Sequence, residues 1–271
     1  MPDPRYYQIL TLSALLLYGL LYLDFPQPLP VLATLLIGAQ LFQYGFTRLF
    51  RLRHFEPRSA LISSLSLCLL LRTESLGTAA AAAGLAIGSK FLLRPGGKHL
   101  FNPANFALAV VTVVSPSAWI SPGQWGNAAY FAFLVACTGM LVIYRSQRVD
   151  ITLAFLACYA AGLFLRGLWL GDPLTIPAHQ LGSGALLIFA FFMISDPKTT
   201  PDSRAGRLLF AALVAAGALY GRFVRYEPSA LIYALTLCSL TVPLLDRWLP
   251  GPRYEWRRNP EPLSSQQPSH S

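Results

Sequence analysis

Ten stretches of apolar residues, separated by short polar breaks, run along most of the chain. They cover residues 6–23, 29–47, 59–71, 77–93, 103–116, 126–144, 150–170, 181–195, 205–221 and 228–246. Apolar runs of this length, without the alternation of a half-buried strand, predict membrane-spanning helices, each needing about 20 residues. Two runs are short. Residues 59–71 stop at Arg72-Thr73-Glu74-Ser75, and 181–195 stop at Asp196-Pro197-Lys198-Thr199-Thr200-Pro201. The expected fold is therefore an all-α membrane protein of about ten transmembrane helices, with the third and eighth broken. The first run is too long for a cleavable leader and no small-x-small site follows it, so it is expected to stay as a span. Residues 249–271 are polar and rich in Pro and Ser, which predicts a disordered cytoplasmic tail.

Charge fixes an orientation for this pattern. The chain has 21 Lys and Arg residues, and ten passes leave only Arg72, Arg166, Arg222 and Arg225 on one side. The other seventeen share the side of the N-terminus, and basic loops stay inside. Both termini are thus expected in the cytoplasm of a bacterial inner membrane. Composition agrees: 54% of residues are hydrophobic and 12% charged, too few charges for a water-soluble surface of this size. The net charge of +9 is explained by this asymmetry, and no nucleic-acid partner is expected.

The pattern also repeats. At an offset of 125 residues Ala60-Leu61-Ile62 aligns with Ala185-Leu186-Leu187, and Phe101-Asn102-Pro103-Ala104 with Tyr226-Glu227-Pro228-Ser229. A unit of five passes is odd, so its second copy is inverted across the membrane. This divides the chain into a first five-helix repeat (1–125), a second, inverted one (126–248) and the tail (249–271). Inverted repeats with interrupted helices place a binding site near the bilayer midplane. Ser59, Ser63, Ser64 and Ser66 in one short span, and Ser183-Gly184 in the other, suit either such a site or close helix packing.

Chemistry narrows by elimination. His54, His99, His179 and His270 all fall outside the spans, where they would not ligate a haem held within the bundle. Cys68, Cys137, Cys158 and Cys238 lie singly in apolar runs, and no metal site is expected. An electron carrier would then be organic, a flavin or a quinone. Gly96-Gly97 leads into Asn102-Pro103-Ala104-Asn105, whose two amides suit either an isoalloxazine edge or the cap of the fifth span. Asp196 opens the matching break after the eighth span. Lys198, Arg204 and Arg207 there suit a phosphate or simply the inside-positive bias.

Taken together these segments resemble the RnfD/NqrB family, membrane components of the Rnf complex and of the sodium-translocating NADH:quinone reductase. The likeness rests on Ser59-Ala60-Leu61-Ile62 at the start of the third span, Lys90 before the glycine turn, and the motif Phe101-Asn102-Pro103-Ala104. It continues from His179 to Pro197 and through Thr199-Thr200, residues 204–207, and Val242-Pro243-Leu244-Leu245-Asp246. The resemblance implies ten spans in two inverted halves and flavin carried within an electron-transport complex. In the family, a threonine of an S/T-x-A-T motif after the fifth span carries FMN covalently. Residues 115–126 contain no threonine here, so covalent FMN is not expected.

The expected function is an electron-transfer subunit that binds riboflavin or FMN non-covalently between its halves. Ser59, Lys90, Asn102, Asn105, Gly184 and Asp196 are the expected lining. Its expected partners are the lipid bilayer, other redox subunits, a soluble flavin or iron–sulfur donor, and quinone. The rival readings are a small-solute transporter or channel on the same scaffold, and a membrane anchor without redox chemistry.

Overall fold

A computed structural model describes residues 3–23, 26–52, 54–120 and 148–254. The sixth expected span (126–144), the boundary between the expected repeats, and residues 255–271 lie outside the described residues. What is described is mostly α-helical, and every other apolar run forms a helix or a bent pair of helices. Helix α1 spans Pro4–Tyr22, α2 Leu29–Leu49, α3 Pro57–Leu70, α4 Leu76–Leu92 and α5 Pro103–Val114. After the undescribed stretch come α6 (Val149–Leu170), α7 (Thr175–Leu181), α8 (Gly184–Ile188), α9 (Arg204–Phe223), α10 (Ala230–Ser239) and α11 (Val242–Trp248).

Local chemistry sets the ends. The Asp3, Ser75, Asn102 and Ser203 side chains each accept a first-turn N–H, of Arg5, Thr78, Asn105 and Gly206 respectively. Proline in the first turn of α3 and α5 fits where no internal hydrogen bond is required. Helix α6 ends at Gly171, whose φ of 72° is the left-handed cap that glycine adopts without strain. Helix α3 stops because Leu71–Arg72 turns extended (β1) and pairs antiparallel with Trp119–Ile120 (β2).

Among the described residues three helices are long and apolar enough to cross a membrane: α2, α6 and α9. Two bent pairs bring the number to five, α7 with α8 at 49° and α10 with α11 at 48°. Helices α3, α4 and α5 are apolar but shorter, at 14, 17 and 12 residues. Helical structure in the eighth run ends at Met193, just before the expected break at Asp196–Pro201, and the α7–α8 bend at residues 182–183 is a further interruption at the start of that run. Helix α8 then continues into a π-helical turn over Phe189–Met193. The run 228–246 is also bent at Leu240–Thr241, just before Pro243, whose ring cannot continue the preceding helix but fits the first turn of the next.

Helix α1 packs on α3, α2 on α3 and α4, and α4 and α3 on α5. In the later part α6 packs on α9 and α9 on α10, and α5 meets α10 to join the two groups. At the α9–α10 contact a Cβ on Gly221 would come within 2.9 Å of the Ala230 methyl, so only glycine permits this approach. Leu10, Leu17 and Leu21 on α1, Ile37 and Leu41 on α2, and Leu165, Leu168 and Trp169 on α6 remain exposed. A continuous apolar exterior over such helices suits lipid, and the chain is an integral membrane protein.

Candidate functional site

The first turn of α3, the last turn of α4, the start of α5 and the loop after the π turn converge at one end of the bundle. Lys90 Nζ donates to the Ser59 carbonyl at 2.8 Å and to Ser59 Oγ at 3.1 Å. Asn102 Oδ1 caps α5 through the Asn105 amide at 3.0 Å, while its Nδ2 donates to Met193 O and Asp196 Oδ2, both at 3.3 Å. One side chain thus makes both the expected cap of the fifth span and a cross-link to the loop that carries Asp196. Asn105 is buried, and its Nδ2 donates to Ile232 O at 3.0 Å and Thr236 Oγ1 at 2.8 Å. It therefore stands at the α5–α10 junction, and its Oδ1 is buried without a hydrogen-bond partner.

Asp196 accepts from the Lys198 amide at 3.0 Å. Burial raises its pKa above the usual carboxylate value, opposed by that hydrogen bond and by the fields of Lys90, Lys198 and Arg148. Five of the six predicted residues are therefore connected by hydrogen bonds or by charge. Gly184 enters through chain continuity: it is buried at the start of α8, whose π-turn continuation delivers Met193 O to Asn102.

The other serines have a different role. Ser63, Ser64 and Ser66 donate to Ser59 O, Leu61 O and Ile62 O within their own helix, so they are small, internally satisfied packing residues. Arg207 is held by Asp150 in an ion pair at 2.6 Å and belongs to the packing of α9 on α6. Lys198 lines a small open cleft bounded by the glycine turn, the 197–202 loop and Arg253-Tyr254.

Sequence reasoning did not single out His99, Arg148 or Thr236. His99 lines that cleft, and its Nδ1 is buried with no hydrogen-bond partner. Burial, with the fields of Arg94, Lys90, Lys198 and Arg253, lowers its pKa from 6.5 to about 3, so the ring is neutral. Arg148 anchors the Asp196 loop by donating from Nε to Thr200 Oγ1 at 3.1 Å and from Nη2 to Pro197 O at 3.4 Å. Of these three, only His99 had a visible signal, its place directly after Gly96-Gly97-Lys98.

Comparison with known proteins bears on the later part of the chain, which includes Gly184 and Asp196 but not Ser59, Lys90, Asn102 or Asn105. A family model described as the NQR2, RnfD, RnfE family matches residues 119–254. The D subunit of the ion-translocating oxidoreductase complex of Escherichia coli O81 (strain ED1a) is 35% identical over 123 residues, which is 45% of this chain and 34% of that protein. Its counterpart in Cronobacter sakazakii (strain ATCC BAA-894) is 32% identical over 151 residues, 55% of this chain and 41% of that protein. The matched stretch thus spans well under half the length of these relatives.

Proposed function

Because the chain belongs to the NQR2, RnfD, RnfE family, we propose that it is an inner-membrane subunit of an ion-translocating oxidoreductase complex that binds one flavin non-covalently. The relatives' names supply the complex, and other subunits of such a complex are the expected partners. Quinone and a soluble flavin or iron–sulfur donor complete the proposal. The flavin sits where α5 meets α10, beside Asn105, Asn102 and Asp196.

The observation that carries this reading is the Asn105 Oδ1 acceptor, buried at that junction without a partner. A buried polar group left unpaired costs about 1–3 kcal/mol, so its retention favours a ligand donor. An isoalloxazine edge carries both a donor and acceptors, and the amides, Lys90 and Asp196 match that mixture. When bound, a flavin supplies one- and two-electron transfer. The protein's part is to hold the ring edge with Asn105, to fix Asn102 and Asp196 against each other, and to set a positive charge nearby with Lys90.

The packing of α6 on α9 and of α9 on α10 parallels that of α2 on α4 and of α4 on α5. That parallel supports two inverted halves with the site between them. The 17-to-4 division of basic residues supports cytoplasmic termini, which a C-terminal reporter active only in the cytoplasm tests. The central experiment is an absorbance spectrum of detergent-purified protein, before and after incubation with riboflavin or FMN. Flavin bands that are lost on denaturation and filtration are expected. A protein that stays colourless and takes up neither compound overturns the proposal.

A further inference from the structure

We propose that the cleft beside the glycine turn is a phosphate-binding site at the basic end of the bundle. Its wall carries Arg94, Lys98, Lys198 and Arg253 against a single carboxylate, Asp202. Lys98 is matched locally by Asp202 at 2.8 Å and by Asp246 at 2.7 Å, which fixes one side of the cleft as rigid scaffold. Arg94 and Arg253 are turned onto the glycine turn, donating to Gly97 O at 3.0 Å and Gly96 O at 3.2 Å. Each of these bonds uses one of five guanidinium N–H groups, and the rest retain the fork that matches phosphate oxygens.

The second observation is His99. The residue lines the same cleft, and its Nδ1 is buried without a hydrogen-bond partner. In the tautomer with its proton on Nδ1, the neutral imidazole donates to a phosphate oxygen, which also answers the surrounding positive charge. Gly96 and Gly97, at φ of 59° and 76°, hold the turn in a conformation that side-chain-bearing residues rarely adopt, which keeps this wall open to an anion. The cleft thus accounts for Lys198, while Arg207 serves the helix packing.

The chemistry is that of a phosphate group, whether from a soluble phosphomonoester or a lipid headgroup. The test uses the full chain in nanodiscs of zwitterionic lipid and reads binding of inorganic phosphate by 31P line broadening, with FMN and riboflavin compared by titration. Saturable phosphate binding that Arg253→Ala and Lys198→Ala each weaken about tenfold is expected. Preference for FMN over riboflavin, lost in the same variants, assigns the soluble source. Loss of phosphate binding when phosphatidic acid is added to the bilayer assigns the headgroup. Absence of saturable phosphate binding, together with equal affinity for FMN and riboflavin, overturns the proposal. Phosphate binding by a protein that takes up no flavin leaves this site standing and sinks only the flavin reading.

Discussion

The two ends of α3 each hold a buried cation, and they hold it by opposite means. At the C-terminal end Arg72, 1% exposed, donates to Cys68 O, Leu69 O, Leu71 O and Gln27 Oε1. Those carbonyls are the negative end of the helix, so the main chain itself stabilises the charge. At the N-terminal end Lys90, 7% exposed, is held by the carbonyl and hydroxyl of Ser59 in the first turn. The helix dipole opposes a cation there, and the compensating field comes from Asp196, far along the chain. Arg72 is therefore a structural cap held chiefly by carbonyls at the end of its own helix. Lys90 instead takes its counter-charge from the Asp196 loop, which suits its place in the proposed flavin site.

The largest expected effect tests the cap. Arg72→Leu strands several helix-end carbonyls and should lower stability by about 3 kcal/mol, measured by thermal unfolding in detergent, with little change in flavin affinity among molecules that fold. Arg72→Lys should recover part of the loss, because it keeps the charge but not the fork. Asp196→Asn should cost less, about 2 kcal/mol, and should weaken flavin binding as well. Adding Lys90→Met to that variant should restore stability, since neither charge is then uncompensated. If the double variant is only the sum of its parts, the dependence of Lys90 on Asp196 is wrong.

Ser59→Ala should cost about 1 kcal/mol, because Lys90 keeps its shorter bond to the backbone carbonyl. The smallest effect is on pH dependence. His99 stays neutral in the fold down to about pH 3 but takes a proton near 6.5 when unfolded. The unfolded chain then binds more protons between those values, so this contribution is complete above pH 6.5 and declines as pH falls toward 3. Lys90 is one of the cations holding that pKa down, so Lys90→Met should make the acid limb of the stability curve slightly shallower. A stability profile that is flat from pH 6.5 to 4 in wild type, and unchanged by His99→Ala, would contradict the buried neutral imidazole.

Much of this was readable in the sequence because it is written locally. Pro57, Pro103, Asn102 and Ser75 mark helix starts by their own chemistry, and the apolar runs set the helix positions. The polar breaks after residues 71 and 195 likewise marked where the third and eighth helices end. What escaped depends on distant contacts. The Asn105–Thr236 and Lys98–Asp246 bonds join positions more than a hundred residues apart, and no local pattern announces them. Arg72 looked like one loop base among several, because its burial follows from carbonyls exposed only once α3 stops short.

Short helices leave part of the bilayer's depth to other structure. At 1.5 Å per residue, α3 is about 21 Å long and α5 about 18 Å, against a hydrocarbon thickness of about 30 Å. Where α3 stops, Leu71 and Arg72 are buried and their backbone is paired with Trp119–Ile120. Extended backbone at membrane depth survives only when protein, and not lipid, surrounds it, so the early stop of α3 obliges the rest of the chain to wall off this end of the helix.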